Sequence, residues 1–181
     1  MRLADASEEN YWNDVFDLYG QAFPAEELMT IEDLTAMVDQ GRCHIQALVD
    51  NDQFVGLSIT FSLERYTYLA YFAIRSDLRG QGYGSKALTL IKDTYRNLVL
   101  EIETTYQPES LNFKQRLKRK QFYLKQKLKA SHFTVSCYGV TMELMSTMEN
   151  YHFKDYIKLY ERLFGKKETA NNIALDTILL Q

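Results

Sequence analysis

The 181-residue sequence has few of the residues that build redox and metal sites. Its two cysteines, Cys43 and Cys137, lie far apart without a C-x-x-C spacing or a histidine partner nearby, and the three histidines are scattered. We therefore expect neither a redox centre nor a metal site. Internal repeats, linkers and low-complexity segments are missing as well, which favours a single folded domain.

Long apolar runs are also missing. None approaches the ~18 residues that a membrane span requires, and the N-terminal residues turn acidic at Asp5, which is unlike a secretory signal. We expect a cytoplasmic protein that does not bind membranes. The net charge of −3 argues against general affinity for nucleic acid.

The residues that are present are typical of a globular α/β domain. Apolar residues make up 46% of the chain and charged residues 25%, and 13 Tyr and 10 Phe predict an aromatic core or ligand cleft. Periodicity predicts the order β-α-α-β-β-β-α-β-α-β-β followed by a last helix, an α/β sandwich around a mixed sheet. Ser7, with Glu8 and Glu9 after it, predicts the start of the first helix.

The most informative motif has three glycines at alternate positions, Gly80, Gly82 and Gly84. A β-rich run precedes them and a helical pattern follows. Alternating glycines let successive backbone N–H groups converge at a helix N-terminus, which suits a phosphate or pyrophosphate. The spacing fits neither the dinucleotide fingerprint G-x-G-x-x-G nor a P-loop. A glycine-rich turn without a ligand is the alternative.

The hexapeptide Arg79-Gly80-Gln81-Gly82-Tyr83-Gly84 resembles the acyl-CoA loop of the GNAT family of N-acetyltransferases. The predicted element order resembles that family across residues 1–145. The resemblance implies an α/β fold with a mixed, mostly antiparallel sheet of six to seven strands flanked by helices. Residues 1–145 would be the acetyltransferase domain, and residues 146–181 a C-terminal helix and tail packed on it.

The resemblance also implies a donor site for acetyl-CoA as co-substrate, without a metal. The strand before the loop would pair with the pantetheine arm, and a backbone N–H near Phe72 or Ala73 would polarise the thioester carbonyl. Arg79 would act through its charge or would brace the loop. The residues assigned to the donor are Phe72, Ala73, Ile74, Arg79, Gly80, Gln81, Gly82, Tyr83, Gly84 and Ser85.

Tyr123 is the candidate general acid. The stretch that ends Phe122-Tyr123 resembles the helical segment whose Tyr protonates the departing thiolate in the GNAT family, and a phenol stays protonated at neutral pH. A half-buried packing role is the alternative. The sequence departs from the family pattern after this Tyr: the family usually has Gly-Phe a few residues later, and this chain has Lys127-Leu128 there.

Three acidic residues are candidates for the acceptor side. Glu101 and Glu103 share one face of a predicted strand, and Glu27 lies in the loop that lines the acceptor side in relatives. We assign Glu103 as the general base, and Glu101 and Glu27 as acceptor-binding residues. Solvated strand positions and an acidic helix start are the alternatives.

The segment 114–129 is rich in Lys and Arg and lacks acidic residues. It lies mostly in a helix predicted over 111–128, whose inward stripe includes Leu117 and Leu124. We interpret the charges as a solvated helix face. Nucleic-acid contact, or one or two contacts to the coenzyme 3′-phosphate, are the alternatives.

These observations predict an acetyl-CoA-dependent N-acetyltransferase that moves an acetyl group to a primary amine by direct attack. A non-catalytic acyl-CoA-binding regulatory or interaction module is the alternative function. The expected partner is a small-molecule or peptide amine. The motif specifies the donor and leaves the amine open. The oligomeric state is open too, a homodimer included.

Overall fold

Backbone hydrogen bonds in the computed structural model build eight β-strands and six α-helices within residues 1–63 and 65–179, the part of the chain that the structure describes. The chain divides after Leu98 into two units, Met1–Leu98 and Val99–Gln181. The predicted domain limit at residue 145 stays a prediction. Residues 180 and 181 of the predicted C-terminal segment lie outside the described residues.

Unit 1 holds four strands in the order β1-β2-β3-β4, each antiparallel to the next. The β2–β3 turn has the tight-turn composition Asp-Asn-Asp, and Asn51 (φ 49°) and Asp52 (φ 59°) take the left-handed backbone that a two-residue hairpin requires. The strands are β1 (Arg2–Asp5), β2 (Cys43–Asp50), β3 (Gln53–Ser62) and β4 (Thr67–Ile74).

Three helices complete unit 1. Thr30 caps the second, because the Asp33 N–H donates to its hydroxyl oxygen at 3.1 Å. Ala87, Leu88 and Ile91 form the buried stripe of the third. The helices are α1 (Trp12–Ala22), α2 (Ile31–Asp39) and α3 (Tyr83–Thr94).

The predicted start of α1 at Ser7 is wrong. The Asp5 carboxylate accepts from the N–H groups of Ser7 and Glu8 and from the Ser7 hydroxyl, which holds residues 6–10 in turns. Asn10 then adopts φ 60°, a conformation that a right-handed helix excludes. The helix therefore begins only at Trp12.

Unit 2 holds four strands in the order β5-β7-β6-β8, with antiparallel neighbours. A glycine between two strand-like runs predicts a hairpin around Gly139, and this is confirmed: Tyr138 (φ 49°) and Gly139 (φ 80°) form its turn. The elements are β5 (Leu98–Glu103), α4 (Phe113–Lys125), β6 (Lys129–Cys137), β7 (Val140–Ser146), α5 (Phe153–Phe164), α6 (Lys166–Asn172) and β8 (Ile173–Ile178).

The predicted fold class is confirmed: helices flank strands that pair mostly antiparallel. The strand count is eight rather than six to seven. The sequence prediction missed β8, since all its residues but Ile173 are exposed and the strand shows no half-buried alternation.

Across residues 1–63 and 65–179, no helix combines the length and hydropathy needed to traverse a lipid bilayer. The same residues contain no group of three or more His, Cys, Asp or Glu side chains arranged to hold a metal ion.

Candidate active site

The glycine-rich loop makes a left-handed turn into α3. Gly80 has φ 78° and Gly82 has φ 86°, a backbone region that residues with a Cβ rarely occupy. Gly82 is the N-cap residue of α3, so the first N–H groups of the helix, beginning at Tyr83, extend from this turn. Residues 79–82 are exposed, and residues 83–85 are half-buried. The loop thus offers backbone donors and a positive helix end to an anion.

Two side chains of the loop brace it. Arg79 donates from Nε to the Ile74 carbonyl oxygen at 3.1 Å, and Gln81 donates from Nε2 to the Asp77 carbonyl oxygen at 3.1 Å. These bonds tie the loop back to the end of β4 and to the short 3₁₀ turn that follows it. Of the two roles left open for Arg79, this contact favours bracing.

Strand β4 holds Phe72, Ala73 and Ile74 in register with β3, and Ala73 is buried. Gly56 on β3 permits this close pairing, because a Cβ there would lie 2.3 Å from the Ala73 carbonyl oxygen.

The pairing of β3 with β4 is interrupted by a β-bulge. The register shifts between Ile59, which pairs with Tyr71, and Thr60, which pairs with Leu69. Ala70 is therefore the extra residue of a β-bulge. The sequence prediction missed this bulge.

The loop that carries Glu27 is fastened by two tyrosine hydroxyls. Tyr71 on β4 donates to the Glu27 carbonyl oxygen at 2.8 Å, and the Met29 N–H lies 3.0 Å from the Tyr19 oxygen and 3.2 Å from the Tyr71 oxygen. Burial, and next the hydrogen bond with Tyr71, raise the pKa of Tyr19. The Glu27 side chain is exposed. The loop that carries Glu27 is thus attached to β4, the strand that the sequence prediction assigns to the donor.

In unit 2, Tyr123 is buried on α4, with 8% of its surface exposed, and packs edge-on against Phe122. Burial raises the pKa of Tyr123 to about 12, and the positive charge of Arg119 acts in the opposite direction. The phenol is therefore protonated at neutral pH, as a general acid must be.

Helix α4 ends in a regular C-terminal cap, although this chain has Lys127-Leu128 where the GNAT pattern has Gly-Phe. The Leu128 N–H donates to the Tyr123 carbonyl at 3.1 Å, and the Lys127 N–H donates to the Leu124 carbonyl at 2.9 Å, which is a Schellman motif. Lys127 occupies the left-handed position, with φ 65°, where a glycine is usual.

Glu103 lies at the end of β5 in contact with the start of α4. Its two carboxylate oxygens accept from Asn112 at 3.0 and 3.1 Å and pair with Arg116 at 2.8 Å and Arg119 at 3.3 Å. Both oxygens of the Glu103 carboxylate are therefore engaged by side chains at the start of α4 and along its first turns. The assignment of Glu103 as base stays a prediction, and its contacts favour a role in holding α4.

A second carboxylate meets the same helix. Glu143 on β7 is 1% exposed, pairs with the Lys120 ammonium, and accepts from the Thr105 N–H at 2.6 Å and the Thr105 hydroxyl at 2.7 Å. The sequence prediction missed Glu143, which gives no signal of its own in an alternating strand. The residues Arg116, Arg119, Lys120 and Tyr123 form one helical stripe.

The prediction of a fully solvated basic face is therefore wrong for part of α4. The side chains of Arg116 and Lys120 are only 11% and 17% exposed and form ion pairs. Conversely, Leu124, predicted to point inward, is 46% exposed. The acids on β5 and β7 decide which face of the helix is buried.

Glu101, two residues before Glu103 on β5, is half-buried and accepts a hydrogen bond from the Tyr160 hydroxyl of α5 at 2.9 Å. Unit 1 thus brings together the glycine loop, residues 72–74 and the acceptor loop. Unit 2 brings together Glu101, Glu103 and the helix that carries Tyr123.

Comparisons with known proteins bear on the family and on the fold. A model of the acetyltransferase (GNAT) family matches residues 12–117. A solved structure from Bacteroides thetaiotaomicron, assigned to the GNAT family, is 23% identical with a TM-score of 0.76 and covers 91% of this chain and 99% of its own.

Two further solved structures share the fold at lower identity. An aminoglycoside 6′-N-acetyltransferase complexed with coenzyme A is 15% identical, with a TM-score of 0.60, over 84% of this chain and 100% of its own. The aminoglycoside 6′-N-acetyltransferase from Enterococcus faecium is 14% identical, with a TM-score of 0.59, over 83% of this chain and 98% of its own. No curated protein matches the sequence.

Proposed function

Because the chain belongs to the acetyltransferase (GNAT) family, we propose that it moves an acetyl group from acetyl-CoA to a primary amine by direct attack of the amine nitrogen. The observation that carries the proposal is the left-handed turn at Gly80 and Gly82 that leads into α3. Apart from the glycine and the residues next to it in the chain, no heavy atom of the described residues lies within 4 Å of the place where a Cβ would stand at either glycine. The turn therefore has room for a pyrophosphate.

The donor would be held mainly by backbone groups. Residues 79–85 would bind the pyrophosphate, and residues 72–74 would pair with the pantetheine arm as an added strand does. Acetyl-CoA supplies an activated thioester when bound. The bulge at Ala70 takes a backbone N–H out of the regular ladder, so we place the donor to the thioester carbonyl there rather than at Phe72 or Ala73.

Side chains of unit 2 would move the protons. Tyr123 is protonated and, as the general acid, would give its proton to the departing sulfur. Glu101 would contact the acceptor ammonium, and Glu103, which is paired with Arg116 and Arg119, stays the proposed general base. Glu27 on its fastened loop would bind a second positive group of the acceptor.

The acceptor is proposed only as a primary amine. Two of the fold neighbours are aminoglycoside N-acetyltransferases, but at 14–15% identity they share the fold alone. A panel for CoA release should therefore contain aminoglycosides, polyamines, amino acids and peptides with free N-termini, with acetyl-CoA in excess.

The donor assignment is tested by thermal shift. Acetyl-CoA should bind with micromolar-range affinity and stabilise the protein by about 2.7 kcal/mol at a concentration near 100 Kd. Gly82→Val should abolish this shift while the protein stays folded. Gly41→Val is the matched control, because Gly41 has a similar backbone, φ 66°, outside the loop. A protein that shifts with neither acetyl-CoA nor CoA contradicts the assignment.

The second candidate function is a non-catalytic acyl-CoA-binding module, which the same loop would serve. Binding of acetyl-CoA without CoA release by any amine of the panel would favour it. The presence of Tyr123 at the position that the resemblance assigns to the general acid favours the enzyme.

A further inference from the structure

Helix α4 places a positive charge one turn before Tyr123. Arg119 precedes Tyr123 by four residues on this helix, and side chains with that spacing are neighbours on one helix face. The charge of Arg119 opposes the effect of burial on the pKa of Tyr123. The guanidinium group is therefore coupled to the phenol both by its position on the helix and by its charge.

The Arg119 guanidinium group is held by a carboxylate of unit 2. Its Nη1 atom lies 3.3 Å from Glu103 Oε2 at the end of β5. The same carboxylate also binds Arg116 at 2.8 Å and Asn112 at 3.0 and 3.1 Å, so it is fixed against the start of α4. The Arg119 side chain is 39% exposed, and an exposed side chain of this length has many conformations. The ion pair with Glu103 reduces their number.

The other two cations of the same stripe, Arg116 and Lys120, have different partners. They bind the carboxylates of β5 and β7 and two oxygen atoms of the loop that follows β5. Within the described part of the chain, neither shifts the pKa of Tyr123, because the causes of that shift are burial and Arg119. Arg119 is thus the cation of the stripe that acts on the phenol.

The proposed proton transfer gives this charge a use. When the thioester C–S bond breaks, its electron pair stays on sulfur. The O–H bond of Tyr123 then breaks, its proton forms the S–H bond of CoA, and the phenolate regains a proton from water before the next turnover. A phenol with a pKa of about 12 protonates a thiolate at a cost, since a thiol has an ordinary pKa of about 8.5. A cation beside the phenolate lowers that cost.

We propose that Arg119 is a positioning residue that acts through Tyr123: held by Glu103, its guanidinium group stabilises the phenolate that forms as the sulfur departs. The inference rests on the proposed function and adds to it a residue that sets the acid strength of Tyr123. This role uses the ion pair of Glu103 and makes no use of Glu103 as a base.

Turnover with saturating acetyl-CoA and amine tests this role. Arg119→Gln should lower kcat about tenfold, a part of the roughly 10²-fold expected for loss of the acid itself. Arg119→Lys keeps the charge and should retain most of the rate. In a Tyr123→Phe background, Arg119→Gln should have no further effect, because the group on which the charge acts is gone. Lys118→Gln removes an exposed cation from the same helix and is the matched control, with kcat expected unchanged.

A measurement on the phenol itself does not depend on activity. Difluorotyrosine in place of Tyr123 has a more acidic hydroxyl, so fluorine NMR can follow its titration while the protein stays folded. Its pKa should rise by about 1 in Arg119→Gln and stay constant in Lys118→Gln. If Arg119→Gln does not fold, raising the salt concentration from about 0.01 M to about 1 M should raise this pKa in the otherwise unsubstituted protein, because salt screens a partly exposed charge.

An unchanged pKa in Arg119→Gln, or in high salt where that variant does not fold, overturns the role of Arg119. Equal losses of kcat from Arg119→Gln with and without the Tyr123 hydroxyl also overturn it, since the loss would then be structural. If the unsubstituted protein releases no CoA with any amine of the panel, the proposed function is overturned, and the role of Arg119 in turnover with it. The titration distinguishes the two failures, because it reports the coupling of Arg119 to Tyr123 without an acceptor.

Discussion

The two units hold their candidate functional residues in place by different physical means. In unit 1 the glycine loop depends on the backbone: Gly80 and Gly82 take a left-handed conformation that leads to the N–H groups at the start of α3. In unit 2 the position of Tyr123 depends on charged side chains. Glu103 and Glu143 are paired with cations of the same helix, α4.

This difference between backbone and side-chain construction decides how much of each candidate site a sequence motif can predict. A backbone site needs particular residues at neighbouring positions, so its signature is contiguous. A charge network needs opposite charges that meet only after folding, and its members look like surface residues until then. Four substitutions test the charge network of unit 2 and the backbone geometry of both units, from the largest expected effect to the smallest.

Loss of a buried charge should have the largest effect. Glu143→Gln leaves the Lys120 ammonium, whose side chain is 17% exposed, without its counter-charge, and we expect the free energy of unfolding to fall by about 3 kcal/mol. Turnover should fall as well, because α4 carries Tyr123. Denaturant unfolding measures the first effect and CoA release the second.

The control for Glu143 is the exposed pair of Lys129 and Glu149, whose side chains are 52% and 79% exposed. Glu149→Gln should leave the unfolding midpoint unchanged. Equal midpoints for the two variants would show that the network around α4 is no more important than a surface pair.

Tyr123→Phe tests the chemistry that the network supports. We expect turnover to fall by roughly 10²-fold with little change in acetyl-CoA affinity, since the hydroxyl acts as the sulfur departs. The pKa of about 12 also predicts that the rate of the unsubstituted protein has no falling limb from Tyr123 below pH 10. Tyr138→Phe removes an exposed hydroxyl and should be neutral. Full activity of Tyr123→Phe between pH 6 and 9 would show that Tyr123 only packs in the core and is not the general acid.

Gly56→Ala tests the backbone construction of unit 1. The added Cβ would lie 2.3 Å from the Ala73 carbonyl oxygen, so β3 and β4 must separate, and we expect about 2 kcal/mol of destabilisation and weaker acetyl-CoA binding. Apart from the adjacent residues and the backbone of α1 itself, no atom of the described residues lies within 4 Å of a Cβ added at Gly20, so Gly20→Ala should raise the free energy of unfolding by about 0.5 kcal/mol. Similar stabilities for the two variants would show that the close pairing at Gly56 is unimportant.

Lys127→Gly should have the smallest effect and the opposite sign. A glycine adopts φ 65° without the Cβ strain that a lysine experiences, so the free energy of unfolding should rise by about 1 kcal/mol. The turnover should not change, since the Schellman motif is already formed. A loss of stability would mean that the Lys127 side chain contributes more than its backbone strain costs.

Much of the site could be predicted where neighbours in sequence decide it. The donor loop, the tight turn after Asp50 and the hairpin at Gly139 each follow from residues that tolerate positive φ. The start of α1 could not, because Asp5 captures the N–H groups of residues 7 and 8 before a helix can.

Other features depend on residues far apart and gave no local signal. The bulge at Ala70 is visible only in the register of β4 against β3. The attachment of the Glu27 loop depends on Tyr71, 44 residues away. Neither can be read from composition or periodicity.

The order of the amino acids alone decides the fold class and the left-handed turn at Gly80 and Gly82, because backbone conformation and strand or helix period are short-range properties. Only the tertiary structure decides which face of α4 is buried and which side chains meet each carboxylate. Glu143 meets Lys120 across 23 residues and Glu101 meets Tyr160 across 59. Whether an acidic residue is solvated, paired with a cation or held by a phenol depends on those distant partners, since burial makes the free energy of a charge depend on what lies beside it.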